Sequence, residues 1–348
     1  MGRMKEALAG PRGTAVLSRG GGGNWSDVSP RDRCPVCGRD SWCQVSLDGA
    51  VALCKRVASD REKTNREGVT FFVHRLDGSA SVAARAPATP RRELAPVEMR
   101  DAAYRTVLAA LRLHEGDREG LRARGFRDED IDANGYRTLP VEGRACLARA
   151  ITSAVGENVA CDVPGCVWRE EGSRGWWTLA GAPGLVVPVR DIEGRIAALK
   201  VRRRDPCDGT RYLYVSSAKH GGPSAASVVH VPLGAAARRA SVQRLVITEG
   251  ELKADTSTAL LGAPVVSIPG VGSWASGVDL ALAWGVRDVA VALDMDARSN
   301  VRVAFALRCI VDELRRSGFT VSVWEWDSRF KGLDDFIAAQ AAGATHAT

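Results

Sequence analysis

The chain has 348 residues, of which 45% are hydrophobic and 26% are charged, a composition that excludes a disordered or fibrous protein. At about 100–200 residues per domain, this length predicts two or three domains. No stretch approaches the roughly 18–20 consecutive apolar residues of a transmembrane helix, and the basic start of the chain lacks the apolar segment of a secretory signal. We therefore expect no membrane partner.

The net charge of +7 is unevenly distributed along the chain. Residues 1–93 carry 16 basic and 10 acidic side chains, whereas residues 243–348 carry 10 basic and 13 acidic ones. A basic N-terminal part and an acidic C-terminal part are expected of a protein that binds a polyanion and, at a separate site, cations. A solvated surface without a binding role would explain the same charges.

The first 76 residues are expected to comprise a flexible leader over 1–30 and a small metal-binding module over 31–76. Four of the nine cysteines lie in the module, within a stretch of 21 residues: Cys34, Cys37, Cys43 and Cys54. This clustering predicts a tetrahedral zinc site in a reducing cytoplasm and not a disulfide framework. The second cysteine pair is irregularly spaced, so His74 is an alternative to Cys43 as the fourth ligand.

A linker is predicted over residues 77–96, followed by a mixed helix and strand region over 97–242. Apolar residues at three- and four-residue spacing predict a helix from Val97, and a second short helix is expected near 119–124. Strands are predicted over 185–189, 196–201 and 211–215. Pro188 within the first of these strands indicates an edge strand or a bulge.

The basic residues of this region are candidates for nucleic-acid contact. Lys200 and Arg202 share one strand face, so both can reach the same phosphate track. Arg203 and Arg211 add positive charge, and Tyr212 adds a surface on which a base can stack. For the arginines that end the second strand, a solvated edge that discourages aggregation is the alternative interpretation.

The last third of the chain alternates strands and helices. Short apolar strands are predicted over 245–248, 264–268, 288–293 and 319–324, with helices between them, which indicates a parallel α/β sheet. Glu249 follows the first strand, and Asp294 and Asp296 follow the third, so all three are expected at the carboxyl edge of the sheet. Three carboxylates together repel one another unless a cation such as Mg²⁺ or Mn²⁺ is bound.

These motifs carry a resemblance to a known family. Glu249-Gly250 and Asp294-x-Asp296 resemble the Toprim domain of DnaG-like primases, topoisomerases and related nucleases. With Pro269–Trp274 and Lys331–Asp335, the pattern over about 243–340 is similar to the Toprim-like modules in replication proteins of plasmids and integrative elements. The basic strands resemble the subdomain that precedes Toprim in these primases, and the cysteine module resembles their N-terminal zinc ribbon.

The resemblance implies a multidomain α/β (α+β) fold: a zinc module, a mixed α+β primase-like core, a parallel Toprim sheet over 243–340 and a short tail over 341–348. It further implies that Glu249 acts as acid and base, and that Asp294 and Asp296 bind the metal. This chain departs from the primases at Lys253, where they usually have an aspartate. A cation at this position can contact a phosphate, so Lys253 is counted among the expected nucleotide or nucleic-acid contacts. Lys331 is counted among them as well.

The resemblance also implies template-directed nucleotidyl transfer, with single-stranded DNA and nucleoside triphosphates as partners. The chain has no Gly-x4-Gly-Lys-Ser/Thr phosphate loop, so a helicase would be a separate partner. Two other interpretations stay open. One is a Toprim nuclease that uses the same acids, and the other is a catalytically silent DNA-binding accessory, for which Lys253 is the main argument.

Overall fold

The architecture is taken from a computed structural model, which describes residues 5–7, 25–29, 32–40, 43–46, 49–64, 70–76, 93–204, 211–295 and 301–345. The strands, in chain order, are β1 (Lys5–Ala7), β2 (Trp25–Asp27), β3 (Gln44–Ser46), β4 (Val51–Cys54), β5 (Glu62–Thr64), β6 (Thr70–Arg75), β7 (Arg137–Leu139), β8 (Cys166–Glu171), β9 (Arg174–Leu179), β10 (Gly184–Arg190), β11 (Ile196–Arg202), β12 (Tyr212–Tyr214), β13 (Arg244–Glu249), β14 (Val265–Ile268), β15 (Asp288–Val291) and β16 (Thr320–Glu325). The α-helices are α1 (Val97–Ala110), α2 (Glu115–Arg122), α3 (Asp128–Asn134), α4 (Arg144–Val155), α5 (Glu157–Ala160), α6 (Leu233–Arg238), α7 (Glu251–Leu261), α8 (Trp274–Trp284), α9 (Val301–Arg316) and α10 (Leu333–Thr345). Short 3-10 helices span Ala218–His220, Arg239–Ser241 and Val271–Ser273.

The N-terminal module is an antiparallel sheet in the order β2-β3-β4-β6-β5. Its interior is small and contains Cys34, Cys43 and Cys54 packed with Val28. A domain well below about 70–80 residues buries little apolar surface, and such small domains are commonly stabilised by a metal or by disulfides. The composition of this core therefore agrees with a module stabilised by a metal ion.

Two segments of the expected leader are strands of larger sheets. β2 pairs with β3, and β1 pairs with β16 at the edge of the C-terminal sheet. The prediction of a flexible leader is thus wrong for 5–7 and 25–27, because backbone pairing recruits segments that have no hydrophobic periodicity of their own. The remainder of the leader, apart from 28 and 29, and most of the expected linker lie outside the described residues.

The middle region is built on an antiparallel sheet in the order β12-β11-β10-β7. Strand β10 is buried along its whole length, and its two faces contact different layers. Val186 packs into the cluster of α1 and α4, whereas Leu185 and Val187 pack against Leu252 of α7. Burial on both faces explains why this strand is a continuous apolar run and does not alternate with polar residues.

The C-terminal sheet has the order β1-β16-β15-β13-β14. Strands β13, β14, β15 and β16 are parallel to one another. Among the described strands of this sheet, only β1 runs antiparallel to its neighbour. Alternate residues of β13 face opposite layers: Leu245 and Ile247 pack with α8 and α9, and Val246 packs with α7 and α10. The predicted fold class, a mixed α+β chain with a parallel C-terminal sheet, is confirmed.

A buried polar network joins the middle region to the C-terminal sheet. The backbone N–H of Arg190 donates to Nδ1 of His230 at 3.1 Å, which leaves the ring proton on Nε2 to donate to Oδ1 of Asp255 at 3.0 Å. The hydroxyl of Tyr136 donates to the other oxygen of Asp255 at 2.5 Å. Because all three side chains are fully buried, the network fixes how α7 sits on the middle region.

Some elements differ from the sequence-based expectation. Helices α3 and α4 and the antiparallel β8–β9 hairpin have no counterpart among the predicted elements. The last helix, α10, continues to Thr345 and thus into the expected tail. None of the helices in the described ranges combines the length and the apolar character needed to cross a membrane.

Candidate active site and metal centre

Two of the predicted carboxylates lie at the carboxyl ends of neighbouring strands of the parallel sheet. Glu249 is the last residue of β13, and Asp294 follows β15 in the adjacent position of the sheet. The ends of these strands are tied together because the Thr248 hydroxyl donates to the Ala292 carbonyl at 2.7 Å. Gly250, with φ of +95°, makes the turn from β13 into α7, a backbone conformation that favours glycine.

A pocket of about 410 Å³ opens at this edge, between the parallel sheet and the antiparallel sheet of the middle region. It is lined by Arg124, Lys200, Tyr212, Tyr214, Glu249, Gly250, Glu251, Leu252, Lys253, Pro269 and Asp294. Five of the predicted site residues, Glu249, Asp294, Lys200, Tyr212 and Lys253, therefore meet in one place. Carboxylates, cations and aromatic rings in one pocket are the groups that a metal–nucleotide complex requires.

Lys200 reaches this pocket from β11. Its ammonium pairs with Oε1 of Glu251 at 2.7 Å, and the two side chains are only 10% and 3% exposed. It also lies over the ring of Tyr214, 4.8 Å from the centroid. The charge of Lys200 is thus largely balanced within the protein, and Lys200 lines the pocket as half of an ion pair.

Lys253 extends from α7 to Asp294, and its ammonium contacts Oδ1 of that carboxylate. Both side chains are mostly buried, with 19% and 11% of their surfaces exposed. The third predicted carboxylate, Asp296, lies outside the described residues. Within the described ranges, Glu249 and Asp294 offer oxygen donors of the kind that Mg²⁺ prefers, while one oxygen of Asp294 is already in contact with Lys253.

Four predicted contacts do not line this pocket. Arg202 and Arg203 lie at the end of β11, and the backbone N–H of Arg203 donates to the carbonyl of Arg211 at 2.8 Å. Arg203 lines a different pocket, and Arg211 is exposed. Lys331 is exposed, and its backbone carbonyl accepts a hydrogen bond from the N–H of Met295 at 3.1 Å.

Sequence reasoning missed the three other polar or charged side chains that line the pocket, which are Arg124, Tyr214 and Glu251. Arg124 pairs with the buried Asp334 at 2.6 Å. Burial raises the pKa of Asp334, and Arg124 opposes that rise. Glu251 could have been found from its position two residues after Glu249, whereas nothing in the sequence around Arg124 indicated a contact with α10.

A larger cleft of about 760 Å³ lies at the β8–β9 hairpin. It is lined partly by Arg144, Arg169, Trp176 and His220, together with the acidic pair Glu170 and Glu171. None of the predicted site residues lines this cleft. Five of the predicted site residues thus line the smaller pocket, and none lines the larger cleft.

The four cysteines of the N-terminal module form a compact cluster. The Sγ atoms of Cys34, Cys37, Cys43 and Cys54 all lie within 4.8 Å of one another. The Cys37–Cys43 and Cys43–Cys54 separations are 3.7 and 3.9 Å, and a tetrahedron with Zn–S bonds of about 2.3 Å has sulfur atoms about 3.8 Å apart. The donor set therefore fits Zn²⁺ in a closed, four-sulfur site.

His74 does not belong to this cluster. Its Nε2 makes a 2.9 Å hydrogen bond with the carbonyl oxygen of Val57, so Cys43 and not His74 completes the group of four. Around Cys54, the hydrogen bond with Cys43 lowers the thiol pKa to about 4; burial opposes this shift, and the backbone N–H groups of Arg56 and Val57 add to it. A thiolate at this position is the form that binds a metal.

The cysteine cluster is linked to the parallel sheet domain through Arg56. The guanidinium of Arg56 approaches Sγ of Cys37 and Cys43 at 3.9 and 3.7 Å, and it pairs with Glu313 of α9 at 3.3 Å. A cation beside thiolates stabilises their negative charge. Arg56 thus joins the charge of the cysteine cluster to the surface of α9.

The profile of a family described as a domain of unknown function (DUF3854) matches residues 238–344, the segment that contains the parallel sheet. No curated protein sequence matches the chain.

Solved structures similar to this chain include DnaG-type primases. The zinc-binding and RNA polymerase domains of the Aquifex aeolicus primase align over 93% of this chain and 78% of that one, with 13% identity and a TM-score of 0.53. The RNA polymerase domain of Mycobacterium tuberculosis DnaG, in complex with double-stranded DNA, aligns over 72% and 81%, with 17% identity and a TM-score of 0.52. A DnaG primase catalytic domain bound to single-stranded DNA aligns over 72% and 79%, with 15% identity and a TM-score of 0.51. The resemblance inferred from the sequence is confirmed at the level of the fold, which is that of the zinc-binding and RNA polymerase domains of DnaG-type primases.

Proposed function

We propose that this protein is a primase-like nucleotidyltransferase that synthesises primers on single-stranded DNA from nucleoside triphosphates. The observation that carries the proposal is the shared pocket, in which Glu249 and Asp294 from the parallel sheet face Lys200 and Tyr212 from the antiparallel sheet. The primase fold supports the same reaction class, although one fold can host several chemistries.

In the proposed reaction, the 3′-oxygen of the growing primer forms a bond to the α-phosphorus of the incoming nucleotide, and pyrophosphate leaves. Glu249 accepts the proton of the 3′-hydroxyl. Asp294 and Asp296 would hold a divalent ion, Mg²⁺ or Mn²⁺, which when bound neutralises phosphate charge and lowers the pKa of the attacking hydroxyl. Tyr212 offers a ring on which a base can stack.

The remaining expectations from the sequence belong to the same proposal. Arg202, Arg203, Arg211 and Lys331 lie outside the pocket, and we propose that they contact the template backbone where it leaves the site. The four-cysteine module is proposed to bind Zn²⁺ and to help engage the template.

The cellular setting is also proposed on the basis of the resemblance. We infer that the protein acts in the cytoplasm in the replication of a plasmid or integrative element, with a separate helicase as partner. We propose that residues 31–76, 97–242 and 243–340 form three domains, which bind zinc, contact the template and carry the catalytic carboxylates, respectively.

The proposal is tested by incubating the zinc-loaded protein with a 5′-labelled single-stranded template, labelled nucleoside triphosphates and Mg²⁺. We expect labelled products that require the template and all complementary nucleotides. Shortened template in reactions without nucleotides would instead identify a nuclease.

One specific observation favours a second candidate, a DNA-binding accessory without catalytic activity. The ammonium of Lys253 occupies one oxygen of Asp294, and this contact competes with a metal for the same carboxylate. Retained binding of single-stranded DNA, with neither primer synthesis nor cleavage in the same reactions, would favour the accessory.

A further inference from the structure

The contact between Lys253 and Asp294 places a positive charge inside the acidic edge of the sheet. Lys253 is in the first turns of α7, and Asp294 follows β15, so the contact joins two elements that flank the pocket. Both side chains are more than four-fifths buried. At such a site a charge pair is screened less by water than a pair on the surface.

The side chain of Lys253 runs past two glycines, of which Gly332 is the one that leaves room for it. A Cβ atom at Gly250 would lie 3.8 Å from Cδ of Lys253, and a Cβ atom at Gly332 would lie 3.1 Å from Cε of Lys253. The hydrogen bond from the Met295 N–H to the Lys331 carbonyl, at 3.1 Å, ties the loop that contains Gly332 to the segment that contains Asp294. The position of the ammonium is therefore fixed by three separate segments of the chain.

Lys253 is surrounded by acidic side chains. Asp294 contacts its ammonium, while Asp334 is affected by the positive charges of both Arg124 and Lys253, which oppose the rise of its pKa on burial. Glu249 lines the same pocket. Lys253 thus stands among carboxylates, at a place where a divalent ion would otherwise supply the balancing charge.

We propose that Lys253 is a built-in cation of this site, which takes the place of one divalent metal ion. The site then binds a single divalent ion at Asp294, and the ammonium of Lys253, which contacts the same carboxylate, supplies the second positive charge. Lys253 is a positioning residue, because it acts on the metal through Asp294. The proposal rests on one part of the proposed function, which is that a divalent metal ion binds at this acidic edge.

The test measures Mn²⁺ binding to the full, zinc-loaded chain by electron paramagnetic resonance of free Mn²⁺, without template or nucleotide. The wild type is expected to bind one Mn²⁺ at the acidic edge. Lys253→Met, which removes the charge and keeps an unbranched side chain, is expected to bind it at least fivefold more tightly. Lys253→Asp, which adds a carboxylate, is expected to bind two ions.

Control variants separate this effect from general changes in charge or folding. Lys219→Met removes an exposed lysine and should leave Mn²⁺ binding unchanged, and Asp294→Asn in the Lys253→Met background should abolish the gain. Thermal unfolding of each variant verifies that it is folded.

The outcomes distinguish this proposal from the proposed function. Mn²⁺ binding that is the same in the wild type, Lys253→Met and Lys253→Asp overturns the role of Lys253 and leaves the metal chemistry of the proposed function standing. If no variant binds Mn²⁺ while all are folded, both proposals are contradicted.

Discussion

At the scale of single residues, two ion pairs at and just after β11 have unequal exposure. Lys200 and Glu251 are almost fully buried together, and each would be costly to bury alone, because removing one partner of such a pair leaves an uncompensated charge. Arg204 and Asp117 make a comparable bond at 2.9 Å, but Arg204 is 52% exposed. We attribute the positioning of β11 beside α7 to the first pair and little stability to the second.

Tyr136 allows the buried network to be tested with a matched control. Tyr136→Phe removes the hydroxyl that donates to Asp255, and we expect a loss of about 1–3 kcal/mol in the free energy of unfolding because a buried carboxylate loses a partner. Tyr214→Phe makes the same chemical change at a buried hydroxyl that has no hydrogen-bond partner within the described part of the chain. We expect that control to change stability by less than about 0.5 kcal/mol.

Urea unfolding of both variants, monitored by circular dichroism, measures the difference. An equal loss of stability in the two variants would contradict the structural role assigned to the Tyr136–Asp255–His230 network.

At the scale of secondary-structure elements, the zinc module depends on short strands around a metal-binding interior. Cys34, Cys43 and Cys54 form most of the buried cluster of this module, so the metal site and the core are the same atoms. Arg56 then connects this cluster to α9 through Glu313. The module and the parallel sheet domain are thus coupled by a contact that includes the thiols themselves.

The ligand set of this module gives a direct prediction. Cys43→Ser is expected to lower zinc affinity at least tenfold, because it removes one of four clustered sulfur ligands. His74→Ala is expected to retain one zinc ion per chain, because His74 bonds to the Val57 carbonyl instead.

Competition for zinc against a chelating dye, measured on each folded variant after gel filtration, distinguishes the two variants. Loss of zinc from His74→Ala with retention in Cys43→Ser would reverse the assignment of the fourth ligand.

At the scale of the whole molecule, the elements that could be predicted are those whose packing repeats along the sequence. The four parallel strands and the helices between them follow from apolar runs, because both faces of that sheet are covered. Helix α3 has the sequence DEDIDAN, which has no apolar stripe, so its helical state depends on Ile131 packing beneath its neighbours. The β8–β9 hairpin is largely exposed and gave no periodic signal.

Pro188 shows how tertiary context decides a local rule. Its strand, β10, is interior to the sheet and not an edge, but β7 pairs only with Gly184–Val186. Pro188 therefore has no pairing residue on β7, so the absence of its backbone N–H breaks no hydrogen bond to that strand. A register shift follows at Val189 and Arg190, which agrees with the alternative expectation of a bulge.

The site was predictable to the extent that it follows strand ends. Glu249 and Asp294 were expected to meet because β13 and β15 are parallel, Glu249 ends β13 and Asp294 follows β15. The contact of Lys253 with Asp294 could not be predicted, because it depends on the path of a long side chain between Gly250 and Gly332. The pairing of Lys200 with Glu251 likewise depends on how two domains pack.

Primer synthesis by carboxylate variants of the full zinc-loaded chain tests the central claim most directly. Glu249→Gln and Asp294→Asn keep the size of each side chain, and we expect each to lower the rate of template-dependent synthesis at least about 100-fold, because they remove the proton acceptor and a metal-binding oxygen. Asp132→Asn makes the same change at a side chain that is 63% exposed and does not line the pocket, and it should synthesise primers at the wild-type rate. Unchanged synthesis in both Glu249→Gln and Asp294→Asn would contradict the assignment of the active site.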